Sequence, residues 1–188
     1  MAASKKISTA LLFGLIAAGV MILFVFGTYR AGPRVFLSWT SYLGNLLIIG
    51  LAAVAGLTEK KAKGGILEFR PALKVCFAVL VLGLLGQFAF TWLLLNVIDP
   101  HFKATLLPVV AENTERTYRM FKVPEDQVQR ALEAAKAEDP FTFGRMLSGL
   151  GFVIILHFLI ALLISAFVKS KKQRDTKSGA SLGANPGH

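Results

Sequence analysis

The chain has 188 residues, 54% of them hydrophobic, with a mean hydropathy of +0.59 and a formal net charge of +10. An ordinary soluble domain is about 45–50% apolar with glycine included. The composition therefore excludes a typical soluble fold and speaks against a soluble enzyme.

The excess apolar residues gather in four blocks, at about 7–28, 37–57, 72–98 and 147–168, each near the ~20 residues that cross a hydrocarbon core. Backbone polar groups in lipid must be satisfied within the segment, and these runs lack the alternation of barrel strands. The expectation is an all-α integral membrane four-helix bundle. Lys5 and Lys6 before the first block could also begin a secretory signal peptide. Its apolar run reaches Phe26, however, past the about 7–15 residues of a signal-peptide core, and Tyr29-Arg30-Ala31-Gly32-Pro33 offers no good small-x-small cleavage site. An uncleaved spanning helix is expected. Cys76 is the chain's one cysteine, so it forms no intrachain disulfide and tells nothing of redox compartment.

Between the third and fourth blocks, residues 100–146 are polar, with Pro108, Pro124 and Pro140 as punctuation. An extramembrane helical excursion is expected over about 103–139, in two helices. The first runs from about 109 to 121. The second opens at Pro124-Glu125-Asp126, where proline and acids suit a helix start, and ends before Asp139-Pro140. Val128, Ala131, Leu132 and Ala135 share one face of the second helix. That stripe packs on the first outside helix or the end of the bundle, or else serves as a partner surface. Phe102, Leu106, Leu107, Phe121, Phe141 and Phe143 flank the excursion as interfacial anchors. Residues 1–172 thus form a single membrane domain, followed at 173–188 by a disordered basic and Gly-Ser tail.

Twelve of the 21 Lys and Arg fall on the side of the termini: two near the start, five in 60–74 and five in 169–177. The remaining nine fall on the other side, together with eight of the eleven acidic residues. Basic residues near membrane ends set topology, so both termini are expected in the cytoplasm. The net charge then reflects flanks lying against anionic membrane lipid, and no nucleic-acid partner is expected.

Neutral polar groups within spans are the best pointers to function. At 1.5 Å per residue, Asn45 lies roughly 12 Å, Gln87 roughly 16 Å and His157 roughly 15 Å from the outer ends, so the three are expected near one level. They either hold the bundle in register by hydrogen bonds across helices or, through His157, serve a proton or ion path. No Asp, Glu, Lys or Arg lies in the central part of a span, which counts against a pump or voltage sensor. Small residues (Gly14, Ala18, Ala52, Gly56, Gly83, Gly86, Gly149, Gly151) allow close helix contact, within the chain or between copies. There is no GxSxG, HExxH, Walker, CxxC or GxGxxG pattern. His101, His157 and His188 lie too far apart to share a metal. No catalytic, cofactor-binding or metal residue is expected.

Several stretches resemble the bacterial family catalogued as domain of unknown function 4199. Gly64-Gly65-Ile66-Leu67-Glu68-Phe69 resembles the family's Gly-Gly-x-Ile/Leu-x-Phe lead into its third span. Leu95-Asn96-Val97-Ile98-Asp99-Pro100-His101-Phe102 resembles its Asn-Phe-Ile-x-Pro-x-Phe exit. A charged outside segment, a fourth span after Asp139-Pro140-Phe141 and a basic end at Lys169-Ser170-Lys171-Lys172 complete the likeness, which covers about 7–172. The resemblance implies a small four-span inner-membrane protein of bacteria with no assigned activity. The first functional expectation is a noncatalytic accessory or interaction subunit, with a membrane-protein partner or a homo-oligomer. The rivals are a small oligomeric transporter or channel at the level of Asn45, Gln87 and His157, and a lipid-interacting protein using its basic flanks.

Overall fold

The computed structural model describes residues 8–137 and 139–170, with nothing said of the side chains of 135–138. The tail expected at 173–188 lies outside them, as do Lys5 and Lys6. The described chain is helical, without strands: α1 (Thr9–Ala31), a one-turn α2 (Pro33–Phe36), a 3₁₀ turn (Trp39–Tyr42), α3 (Leu43–Ala62), α4 (Phe69–Leu93), a π turn (Leu94–Ile98), α5 (Pro100–Met120), α6 (Glu125–Ala137) and α7 (Phe143–Val168). Four segments are long and apolar enough to cross a membrane: Thr9–Ala31, Trp39–Ala62, Phe69–Ile98 and Phe143–Val168. Below, the end of the bundle near Ser8 and Ser170 is the terminal end, and the end carrying α2, α5 and α6 is the loop end.

Each span buries a narrow stripe and turns large apolar side chains outward. In α1 the stripe is Gly14, Ala17, Met21 and Val25, and in α3 it runs from Gly44 through Ile48 to Ala52, Ala55 and Gly56. Leu23, Leu163 and Phe167 point away from the protein, Phe167 being 88% exposed. Hydrocarbon solvates such side chains at no cost, so the fold depends on close packing of small residues rather than on hiding apolar area. α4 is the central helix and packs on α1, α3 and α7. A Cβ added at Gly86 would stand 2.6 Å from the Ala18 Cβ and 2.9 Å from its Cα, so α1 and α4 approach almost backbone to backbone. Gly56 faces the side chains of Cys76 and Val168, whereas Gly149 and Gly151 face open space.

The terminal end is closed by backbone chemistry. Gly64 and Gly65 take positive φ (69° and 86°), the Gly65 amide donates to the Lys60 carbonyl (2.9 Å) and the Gly64 amide to that of Lys61 (3.1 Å). This is the Schellman closure of a helix, which glycine makes without strain. Leu67 then packs on Ala72 and Val168, and Ser170 donates from its amide to the Leu67 carbonyl and from its hydroxyl to that of Gly65. Cys76, Ala52, Ala55, Val79, Leu80, Ala161 and Ser165 are fully buried in this half.

Helix limits differ from the apolar blocks where polar residues continue or replace a helix. α3 runs on to Ala62 because Glu59 and Lys63 pair one turn apart (3.2 Å) before Gly64 ends it. It begins later than residue 37 because Ser38 and Ser41 donate to the Val35 and Phe36 carbonyls and hold a turn instead. The first outside helix starts at Pro100 and not near 109. Pro108 lies within it on the exposed side, where the carbonyl of exposed Ala104 is left to solvent. Asp99-Pro100 therefore ends one helix and starts the next.

Candidate functional site

At the loop end the apolar blocks give way to a polar latch. The π turn closes with the Asp99 amide donating to the Leu94 carbonyl (2.8 Å). Asp99 then caps α5: its Oδ1 accepts from the Phe102 amide (2.9 Å), while Oδ2 accepts from the Tyr29 hydroxyl of α1 (2.8 Å). The Asn96 amide donates to the Trp92 and Phe141 carbonyls. Lys103 on α5 donates to Asn96 Oδ1 (3.0 Å) and to Asp139 Oδ2 (2.8 Å), and Asp139 Oδ1 accepts from the Phe141 amide (2.8 Å). Beneath the latch Leu95, Phe102 and Leu106 pack with Tyr29, Phe36, Leu37 and Phe141, and the Tyr29 and Phe102 rings meet edge to face at 4.7 Å. Four segments, α1, the end of α4, α5 and the approach to α7, are tied at one place.

The latch depends on two ionised carboxylates. The Phe102 amide, helped by the Tyr29 hydroxyl, holds the Asp99 carboxyl below the usual carboxylate range. Burial pushes Asp139 upward, but Lys103 and the Phe141 amide outweigh it, and that carboxyl too is lowered.

α5 lies over the first loop. Asn113 donates to the Leu37 carbonyl (3.4 Å) and Arg34 pairs loosely with Glu112 (3.9 Å). A depression of about 620 Å³ between α5 and the loop includes Arg34, Trp39, Arg116 and Met120 in its wall. Val128 of α6 is buried, with Ala131 and Leu132 half-buried, so the described part of the α6 stripe is covered, with α5 as its packing partner. Exposed instead are Met120 and Phe121 at the tip of the α5–α6 hairpin, 71% and 73%, and Trp39 on the loop, 73%.

Below that cover a cavity of about 340 Å³ enters the loop-end half of the bundle. α4 forms its back wall with Leu84, Gln87, Phe88 and Thr91. Asn45 of α3 and Met146, Leu150 and Val153 of α7 flank it, and Phe36, Leu37, Ser38, Ser41 and Tyr42 complete the lining. Of the three intramembrane polar residues read from the sequence, Asn45 and Gln87 thus line one cavity. His157 does not line it. It sits one turn beyond Val153 toward the terminal end, 5% exposed, with Nδ1 2.9 Å from the Val153 carbonyl. A carbonyl only accepts, so Nδ1 carries the proton. His157 Nε2 and Asn45 Oδ1 are buried with no protein partner. Among the described residues, no group of three or more His, Cys, Asp or Glu is placed to hold a metal ion.

Sequence reasoning passed over Lys103, Asp139 and Tyr29, whose partners lie 36 and 70 positions away. The Asn96 to Phe102 stretch was the available signal, since an Asn, an Asp and a Pro crowd into one helix exit.

Three apolar spans around a fourth, central one, with a helical hairpin strapped across one end, define a small helical membrane protein. A family model described as "Protein of unknown function (DUF4199)" matches residues 12–170, and the chain belongs to that family. No curated protein and no solved structure matches it.

Proposed function

We propose that this protein is a noncatalytic accessory or interaction subunit of the bacterial inner membrane, with its termini in the cytoplasm and its working surface at the loop end. The observation that carries this reading is the strapped hairpin. The latch fixes α5 to three other segments, and the hairpin presents Met120 and Phe121, with Trp39 on the adjoining loop. Exposed aromatic and methionine side chains on a rigid support suit a protein contact. The orientation rests on Lys60, Lys61, Lys63, Arg70, Lys74 and Lys169 at the terminal end. A permeation path through one chain has less support, because residues of the terminal half pack with no exposure around Cys76 and Ser165.

The test is site-specific photocrosslinking in intact membranes from position 121, with position 167 as a lipid-facing control. A stoichiometric foreign protein captured from 121 alone supports the reading. Capture of nothing but lipid from both positions overturns it. Reporter fusions at Thr114 check the orientation, and a cytoplasmic signal there reverses it.

A further inference from the structure

We propose that the depression between α5 and the first loop binds an anionic phospholipid with a hydroxyl-bearing head, of the phosphatidylglycerol class, whose acyl chains run down the outer face of α3. This goes beyond the protein contact proposed for the hairpin and rests on Arg34, Glu112, Asn113 and Arg116, which that contact does not use; Trp39 borders both surfaces.

The depression lies at the level of lipid heads. Its α5 wall carries Val109, Glu112, Asn113, Arg116, Thr117 and Met120, which recur every three or four positions and so share one helix face. Arg34 and Trp39 stand in the opposite wall. Trp39 opens the second apolar span, Trp39–Ala62, and tryptophan at the end of a span sits among the headgroups. Below it Leu43, Leu46, Gly50 and Val54 follow at helical spacing, all of them exposed, and a Cβ added at Gly50 would meet nothing within 4 Å. An apolar stripe for acyl chains therefore continues from the mouth of the depression. The volume, about 620 Å³, is within the range of small-molecule sites.

Charge selects an anion. Two guanidiniums and one carboxylate line the depression. Glu112 meets Arg34 only at 3.9 Å, with the two side chains 65% and 84% exposed, and such a pair holds little. The Arg116 guanidinium has no ion-pair or hydrogen-bond partner among the described residues. One positive charge is left over, and a singly charged phosphodiester balances it. Arginine suits that group, because its planar fork meets two phosphate oxygens at once.

Hydrogen bonding narrows the head. Asn113 Nδ2 donates to the Leu37 carbonyl (3.4 Å) and the Thr117 hydroxyl to the Asn113 carbonyl (2.7 Å). What these residues leave open is mainly acceptor: Asn113 Oδ1, the Thr117 Oγ1 lone pairs and the Glu112 carboxylate. Glycerol hydroxyls bring the donors. A choline head brings none, and an ethanolamine lipid is neutral overall and leaves the surplus charge unbalanced.

The test uses the full chain, without other proteins, in phosphatidylcholine vesicles containing a few mole per cent of a photoreactive phosphatidylglycerol, with labelled peptides mapped by mass spectrometry. Its result is therefore independent of the crosslinking from position 121. Labelling should concentrate around 34–46 and 109–120, and unlabelled phosphatidylglycerol should compete while phosphatidylethanolamine does not. Arg116→Gln should weaken labelling about fivefold, the upper end for an exposed charge pair. Glu112→Gln, which removes the anion and keeps an acceptor, should strengthen it. Lys60→Gln with Lys61→Gln, at the terminal end, should leave these peptides labelled as before. Equal competition by phosphatidylethanolamine, stronger competition by an oligoglutamate peptide, unchanged labelling in Arg116→Gln, or an equal loss in the terminal-end variant would each overturn the proposal.

Discussion

At the scale of single residues, the loop end depends on a few side chains that each satisfy several backbone or side-chain groups. Asp99 is the clearest: it caps α5 and receives the Tyr29 hydroxyl. Asp99→Ala should remove the cap of α5, read as a lower midpoint in a detergent denaturation series. Asp99→Asn should lose less, because an amide oxygen still accepts. The pH dependence follows from the two lowered carboxyls. Their folded values lie below the ordinary 3.8, so their stabilisation is complete above that pH and is lost as pH falls through the folded values. The latch should be unchanged between about pH 5 and 8 and should loosen below about pH 4. Trp92, whose ring meets Phe143 at 5.9 Å, reports this by fluorescence in a Trp39→Phe background. A transition near pH 6 would contradict the assignment.

At the scale of elements, small residues decide which helices touch. Gly86 faces the Ala18 backbone, and a side chain there forces α1 away from α4. Gly86→Val should destabilise by at least about 1–3 kcal/mol, the range for overpacking, whereas Gly149→Val, in open space, should change stability little. Matching losses in both would mean that the two glycines act through helix propensity instead of packing. At the α3 end, Gly64 at φ 69° closes the helix. Gly64→Ala should cost about 1 kcal/mol, because an L side chain is strained in that conformation, again read from the unfolding midpoint. α5 shows the limit of punctuation by proline: Pro108 breaks no helix because its exposed side leaves the freed carbonyl to water.

At the scale of the whole molecule, the two halves differ. The terminal half is closed by the glycine turn, the Ser170 bonds and fully buried small residues, while the loop half holds the cavity and the strap over it. Lys103 links strap to bundle. Lys103→Met leaves Asn96 and Asp139 without their shared donor and should increase proteolytic cleavage in the hairpin several-fold with the spans still helical, read by limited proteolysis and circular dichroism. That outcome separates a strap that opens locally from a chain that unfolds as one unit.

Much of this architecture was legible from residue order alone. Each span satisfies its own backbone in lipid, so length and hydropathy suffice to find the four helices. The Gly64-Gly65 turn and the capped exit at Asp99-Pro100 are local motifs, which is why they stood out as a resemblance. That Asn45 and Gln87 fall at a similar height along neighbouring helices also follows from counting along helices. The tertiary structure decided the rest: that Lys103 meets Asp139 and Tyr29 meets Asp99, that α5 covers the described α6 stripe, and that Asn45 and Gln87 line one cavity which His157 does not reach. Those outcomes depend on how far each helix is rotated about its axis and how closely small residues let it approach. Contacts between residues distant along the chain fix both, and no single stretch of sequence encodes them.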